Sequence, residues 1–408
     1  MSSGKNCEVV FLDFSKAFDL VNHSLALTKM RNHGINGKLL CWISEFLSDR
    51  PQRVRVSNSL SESNILKSGV PQGSVLGPLI FLIFISDLNF KNTSDFVSIL
   101  KYVDDSKVTG RIENEEDVYT LQENLSDIYD WADHNNIAWN KLKFQLLRLG
   151  KSEDIKNNTL LFGPGFDSII ERKNVIKDLR VLVDEELSYS HQIQKSLSKT
   201  RQKIGWIACT FRSRDVKFLR ILWNSLVQPH MDYASILVTP VGSKGLIMAQ
   251  EGPLRKMTKM AWGCRESNYW EHLTVFKLYS NQRRMERYKI IYIWKSLNGL
   301  VPSLGLEWAG DSNTRSGLCL KIPTLFGKYE RYKTLQKRSL KVEGAKIVNS
   351  IPQDIRLFTG KLDQFKSKLD AYLETLPDQP QTESLIPDAM TIYRVPSNSI
   401  IDWARKLP

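Results

Sequence analysis

The chain has 408 residues, 42% of them hydrophobic, and a formal net charge of +13. That length exceeds the roughly 250–300 residues at which one core stops growing, so two or more domains are expected. No run approaches the ~18 apolar residues of a helical membrane span, and no apolar stretch follows Met1–Cys7 to make a signal peptide; an intracellular protein of the nucleus or cytoplasm, with no membrane partner, is expected.

In chain order, Val9–Leu12 reads as a buried strand that ends on Asp13. Ser24–Met30 reads as a helix ended by Gly34, and Lys38–Leu47 as a second helix. Arg53–Val56 and Ile65–Lys67 are expected to be short strands around a Ser/Asn-rich turn. The turn Gly69–Gly73 then feeds a helix, Leu79–Leu88. Ile99–Val103 and Lys107–Thr109 form a hairpin with Asp104 and Asp105 at its tip. Val118, Leu121, Leu125, Ile128 and Ala132 step at helical intervals within Glu116–Ala132, and Ile137–Leu149 returns as extended chain. Leaving out the extra helices and the 53–67 hairpin, the order strand, helix, hairpin, helix, strand predicts an α+β unit, a split βαβ sheet with helices on one face.

After Leu187 the pattern turns helical: Ile193–Phe211, Val216–Val227, Leu254–Trp262 and a long amphipathic stretch, Leu273–Leu297. Val241–Gly252 reads as a loop. Glu330–Ser350 has some helical pattern, and Phe365–Leu373 is a small helix before the Pro-rich Leu376–Pro380. The expected domains are therefore 1–184, 185–300 and 301–408.

Five cysteines with no Cys-x-x-Cys pair and no paired histidine spacing point to reduced thiols rather than a disulfide framework or a zinc knuckle. The basic excess is local. Residues 191–300 hold 19 Lys or Arg against 6 Asp or Glu, which predicts a polyanion partner bound through its phosphates. Trp206, Trp223, Trp262, Trp270 and Trp294 lie in that block, either as helix core or as platforms for bases.

The chemistry-bearing residues are acidic. Like charges about 4 Å apart repel by about 4 kcal/mol at an effective dielectric of about 20. Asp13, Asp104 and Asp105 at neighbouring strand ends therefore call for a cation between them, and carboxylate oxygens suit Mg²⁺. Two such ions serve in-line displacement at phosphorus, that is, nucleotidyl transfer. Between the acidic segments lies Gly69-Val70-Pro71-Gln72-Gly73-Ser74, where the Pro71 turn would let the Gln72 amide and the bare peptide of Gly73 approach a nucleotide and its template.

At these residues the chain resembles the reverse transcriptases of non-LTR (LINE-type) retrotransposons. Phe11 to Asp19 is similar to the family's motif A, Ser68 to Pro78 to motif B, and Tyr102-Val103-Asp104-Asp105 to motif C. Trp131 to Gly150 resembles motif D, and Lys177 to Asp184 the start of motif E. The resemblance implies a polymerase palm followed by a helical, thumb-like part and a C-terminal region. It implies an RNA-directed DNA polymerase using two Mg²⁺ ions, with Mn²⁺ as the alternative, and an RNA template, a DNA primer and dNTPs as partners.

It also implies roles for single residues. Asp13 and Asp104 would be the principal metal ligands and Asp105 a weaker one, with the Phe14 carbonyl completing one shell. Phe18 would block a ribose 2′ hydroxyl, and Lys143 would protonate the leaving pyrophosphate. Lys101 and Lys107, beside the hairpin tip, are candidates for primer phosphates. Asp13 lies only twelve residues from the start, so the fingers of related enzymes are expected to be missing. Arg180 stands where the family has glycine. The competing reading is a catalytically inactive remnant that still binds nucleic acid; a group II intron-type maturase fits the acidic set but not the downstream resemblance.

Overall fold

The computed structural model describes residues 6–91, 96–150, 160–238, 244–264, 266–310, 318–325, 333, 336–337, 339–379 and 399–401. The chain divides into two compact units, Lys5–Ile176 and Lys177–Pro408.

The first unit is α+β. Strand β1 (Asn6–Leu12) is followed by helices α1 (His23–Asn32) and α2 (Gly37–Leu47). Two small ribbons come next, β2 (Arg50–Gln52) with β5 (Asn64–Leu66) and, nested inside, β3 (Arg55–Val56) with β4 (Ser59–Leu60). The expected strands are present here but pair differently: Arg55 and Val56 turn back on Ser59 and Leu60, not on residues 65–67. Helix α3 (Leu76–Phe84), the hairpin β6 (Val97–Tyr102) and β7 (Asp105–Ile112), helix α4 (Glu115–His134) and strand β8 (Gln145–Leu149) complete the predicted order. The sheet runs β6-β7-β1-β8, with the short strand β9 (Glu171–Arg172) added parallel to β8.

Alternation along β1 explains the layering. Val10 and Leu12 point to one face and join Val108, Ile112 and Leu146 in a core with α1 to α4. Phe81 and Phe84 of α3 are fully buried there, each contributing about 1.5–3 kcal/mol. Helix α4 starts at Asn114, whose side chain accepts from the Asp117 N–H while Asp117 returns to the Asn114 N–H. Three acidic residues in its first turn and His134 in its last suit the helix dipole. In the same face Glu8 and Arg148, paired across β1 and β8, form a buried ion pair.

At the boundary, β10 (Val175–Asp178) and β11 (Val181–Asp184) form a ribbon joined by Leu179 and Arg180. Both linking residues have positive φ, +44° and +69°. Two-residue turns of this kind prefer Asn-Gly. A glycine at position 180 is thus explained by turn geometry, and Arg180 is strained there. Asp184, buried, accepts the N–H groups of Glu186, Ser188 and Tyr189 and leads the chain into the next helix.

The second unit is helical: α5 (Ser190–Thr210), α6 (Val216–Leu222), α7 (Gln228–Asp232), α8 (Lys244–Thr258), α9 (Tyr269–Phe276) and α10 (Asn281–Leu297). The expected helix Val216–Val227 loosens into one wide turn, Trp223–Val227, ahead of Pro229, which has no N–H to continue the ladder. The loop expected at Val241–Gly252 is instead helix from Lys244, and its Pro253 lies inside. Packing outweighs these breakers, since Leu254 and Met257 are buried beside Ile204 and Ile207 of α5. The stretch Leu273–Leu297 is broken where Lys277 turns left-handed (φ +51°) and Ser280 caps a new helix.

The expected boundary at 300 is replaced by a shared core. Ile290, Ile293 and Trp294 of α10 pack with Val348 of the helix Ala345–Asn349 and with Phe365 and Leu369 of the helix Leu362–Thr375. The first expected boundary, 184, lies past the observed one at 176. The pattern expected over Glu330–Ser350 falls, up to residue 338, mostly outside the described residues.

Candidate functional site

The site is built where β1 ends. Leu12 pairs with Ser106 of β7, so one more step along the antiparallel ladder sets Asp13 opposite Asp105. Such neighbours lie about 4.5–5.5 Å apart at Cα. Tyr102 pairs with Asp105, leaving Val103 and Asp104 as a two-residue tip between β6 and β7. Val103 has φ +57°, a conformation hairpins normally give to glycine or asparagine. For a β-branched residue this stores strain of order 1–3 kcal/mol, held by the ladders on either side. By alternation Phe11, Asp13, Asp105 and Lys107 share the sheet face opposite the helices. Lys107 Nζ lies 5.9 Å from the Phe11 ring centroid.

A second segment closes on Asp13. The Asn140 N–H donates to the Asp13 carbonyl (2.8 Å) and the Ser15 N–H to the Ala138 carbonyl (2.8 Å), so residues 138–140 extend the sheet beside β1. Neither bond uses the Phe14 carbonyl. The Phe14 side chain is core, stacked on Trp139 with centroids 3.9 Å apart. A short turn, Lys141–Lys143, then brings Lys143 Nζ within 2.8 Å of Asp13 Oδ2. The hydrogen bond to Asp13, the Asp13 charge and the charges of Asp104 and Asp105 raise the Lys143 pKa. The three aspartates and this ammonium therefore share one field.

Among the described residues no three acidic, histidine or cysteine side chains are gathered closely enough to hold a metal ion. The positive charge at Asp13 is that of Lys143. The donor chemistry still suits a hard divalent cation, since Asp13 follows the last residue of β1 while Asp104 and Asp105 lie at the adjoining end of the β6–β7 hairpin, and all three offer carboxylate oxygens. Rotation of Asp13 away from Lys143 would be needed to share an ion.

The Pro-Gln-Gly segment is strapped to the chain that follows Asp13. Val70 N–H donates to the Phe18 carbonyl (2.8 Å), Gly69 N–H to the Val21 carbonyl (2.8 Å) and Ser68 Oγ to the Asp19 carbonyl (3.0 Å). Gln72 Nε2 donates to Asp19 Oδ1 (3.1 Å), and His23 Nε2 lies 2.7 Å from the Gly69 carbonyl. Gly69 is needed for this approach: its φ is +88° and a Cβ there would stand 2.8 Å from the Asp19 carbonyl oxygen. Gly73 also has positive φ, +81°, with open space beside it. Phe18 is half-buried and stacks on Phe81, centroids 4.6 Å apart.

The predicted residues thus fall into two groups joined by segment 13–19. Asp13, Asp104, Asp105 and Lys143 form one; Phe18, Gln72 and Gly73 gather around Asp19. Asp19 and His23 were not singled out from sequence, although Asp19 lies inside the quoted motif. The expectation for Lys101 is corrected. Its Nζ donates to the carbonyls of Ile85 (3.2 Å), Ser86 (3.0 Å) and Leu88 (2.9 Å), so all three of its protons tie β6 to the end of α3. Helix α3 has no basic residue in its last turn to cap those carbonyls, which was a readable signal.

A sheet of this order, with its helices on one face, has the architecture of a polymerase palm. The profile of the family described as "Reverse transcriptase (RNA-dependent DNA polymerase)" matches residues 1–219, more than half of the chain, and the chain belongs to that family. Curated relatives agree. The chain is 26% identical over 326 residues, 75% of its length and 34% of the relative's, to the "RNA-directed DNA polymerase from mobile element jockey" of Drosophila funebris. It is 24% identical over 57% of its length and 26% of the relative's to the "Probable RNA-directed DNA polymerase from transposon X-element" of Drosophila melanogaster. The chain thus spans about a third of the jockey polymerase's length. Among solved structures, apo telomerase from Candida tropicalis aligns over 70% of this chain and 45% of that one, at 11% identity and a TM-score of 0.36.

Proposed function

We propose that the chain extends a DNA primer on an RNA template from dNTPs, as the reverse transcriptase of a non-LTR retrotransposon. The observation that supports this reading most is the pairing of Leu12 with Ser106, after which Asp13 leaves β1 beside the β6–β7 hairpin that carries Asp104 and Asp105. Asp13 and Asp104 would be the main ligands of divalent ions, Mg²⁺ by donor chemistry with Mn²⁺ as the alternative, and Asp105 a weaker one. Bound there, the ions would activate the primer 3′ hydroxyl and neutralise the leaving pyrophosphate.

The chain's own residues do the positioning. The Phe18 ring, resting on Phe81, is the surface against which a ribose 2′ hydroxyl would clash. The Gln72 amide is fixed by Asp19, and the bare peptide at Gly73 leaves room for a nucleotide. Lys143, whose ammonium reaches the site beside Asp13, would have a proton to give to the leaving pyrophosphate.

The test is primer extension with an RNA template, a DNA primer, dNTPs and Mg²⁺. Asp104→Asn is expected to lower extension by at least about a thousandfold, since losing a metal ligand forfeits several kcal/mol of transition-state stabilisation. Extension unchanged by Asp104→Asn would overturn the assignment. The second reading, a nucleic-acid-binding remnant without activity, draws on the Lys143–Asp13 ion pair; nucleic-acid binding without extension, at any Mg²⁺ concentration, would favour it.

A further inference from the structure

Among the described residues, the helical unit carries two indoles that its core does not use. Trp223 and Trp294 are buried, but Trp206 is 49% exposed and Trp262 71% exposed. Single exposed apolar side chains are ordinary. Both residues border the same turn. Trp206 ends the exposed face of α5 and meets Phe211 edge-on, centroids 5.7 Å apart. The backbone N–H of Trp262 donates to the Arg214 carbonyl (3.2 Å), three residues further along that turn, which places the start of its exposed side chain there. Arg214 braces the turn in turn, its guanidinium donating to the carbonyls of Ala208 (2.9 Å) and Phe211 at the end of α5.

Along α5, the turn and α6 the charge is almost all of one sign. Between Leu187 and Met231 the sole acidic residue is Asp215, and its carboxylate is taken up capping α6 at the Phe218 N–H (2.9 Å). Lys199, Lys203 and Trp206 follow at spacings of four and three, so they share one side of α5, and all three are exposed. The Lys203 ammonium lies 5.8 Å from the Trp206 ring centroid. Arg212, in the turn, and Lys259, just before Trp262, are also exposed.

From this geometry we infer that the turn 208–214, flanked by Trp206 and Trp262, is a binding site for an unpaired nucleic-acid strand. Its bases stack on the two indoles, and its phosphates lie against Lys199, Lys203 and Arg212. Stacking needs exposed ring faces, which paired bases inside a duplex do not offer; this selects single strands and tolerates any sequence. The inference rests on the reverse-transcriptase reading only for what the strand is, the unpaired part of a template or product.

The test uses the full chain and labelled single-stranded RNA and DNA oligonucleotides of about a dozen nucleotides, within the usual span of such sites. Fluorescence anisotropy is read in chelator, with a duplex of equal length as control. Trp206→Ala and Trp262→Ala are each expected to weaken single-strand binding about fivefold or more, with duplex binding changed less than about twofold. Trp206→Phe recovers part of the loss. Lys203→Ala and Arg212→Ala each lower the slope of log affinity against log salt by about 0.7. Single-strand affinity unchanged in the double tryptophan variant, or a loss equal on duplex, overturns the proposal. Should that variant lose its helical circular dichroism, Lys203→Glu and Arg212→Glu decide: weaker single-strand binding supports the site, and unchanged binding removes it. Asp104→Asn is expected to bind these oligonucleotides normally, so failure here and failure of the polymerase reading are told apart.

Discussion

At the end of the palm sheet three aspartates lie near one exposed lysine, whereas helix α10 withdraws four cations from solvent and ties them into the fold. Arg284 meets Asp232 (2.8 Å), Arg287 meets Asp370 (2.6 Å) and Lys289 meets Glu343 (2.8 Å). Arg283, fully buried, donates to the Leu373 and Pro377 carbonyls. Charge closed on itself in this way holds a fold together; charge left unbalanced at a surface is free to bind. Of the 19 cations between residues 191 and 300, these four belong to the first kind. The exposed lysines and arginines of α5 and its following turn belong to the second.

Removing an acid from each side is the strongest way to break the comparison. Asp232 accepts from Arg284, from Tyr288 Oη (2.7 Å) and from Gln228 (2.8 Å). Asp232→Ala leaves Arg284 buried without its carboxylate and is expected to cost about 3–5 kcal/mol in urea unfolding. Asp13→Ala removes the partner of an exposed lysine and is expected to change stability by less than about 1 kcal/mol. Equal losses from the two would erase the distinction.

A smaller effect comes from Glu286, buried on α10, where burial pushes the carboxyl from its ordinary 4.5 up to about 7. The folded chain keeps this proton to about pH 7 while the unfolded chain releases it near 4.5. The folded state therefore binds more protons in that window, and stability falls as pH rises through it, by up to about 3 kcal/mol. Glu286→Gln should remove this slope while its amide oxygen still accepts the Ile400 N–H. Thermal unfolding from pH 4.5 to pH 8 that runs parallel in both proteins would exclude the effect.

The smallest expected change is at the ribbon turn. Arg180→Gly relieves a left-handed residue and is expected to raise stability by about 0.5–1 kcal/mol after the added chain entropy. A destabilised variant would mean that the Arg180 side chain contributes more than its backbone costs.

Local signals carried much of the palm. The apolar runs ending on Asp13 and Asp104, the turn residues of 69–73 and the helical spacing of α4 each depend on neighbours a few positions away, and each element is present. Where the reading failed, a distant contact decided. The nested ribbons of 50–66 chose partners by closure of a shorter turn, and α8 kept its helix through Pro253 because α5 covers it. Lys101 is an exposed strand lysine, but its ammonium is taken up by three carbonyls of the segment just past α3, which only the fold reveals.

The sequence by itself determined the candidates for chemistry: three carboxylates, a Pro-Gln-Gly turn between them, and a lysine after Asn140. Tertiary structure alone decided that Asp13 stands opposite Asp105, that Lys143 answers Asp13, and which cations reach solvent. Period and propensity act over a few residues, whereas strand register and burial are set by segments a hundred residues apart, and only the folded chain brings those together.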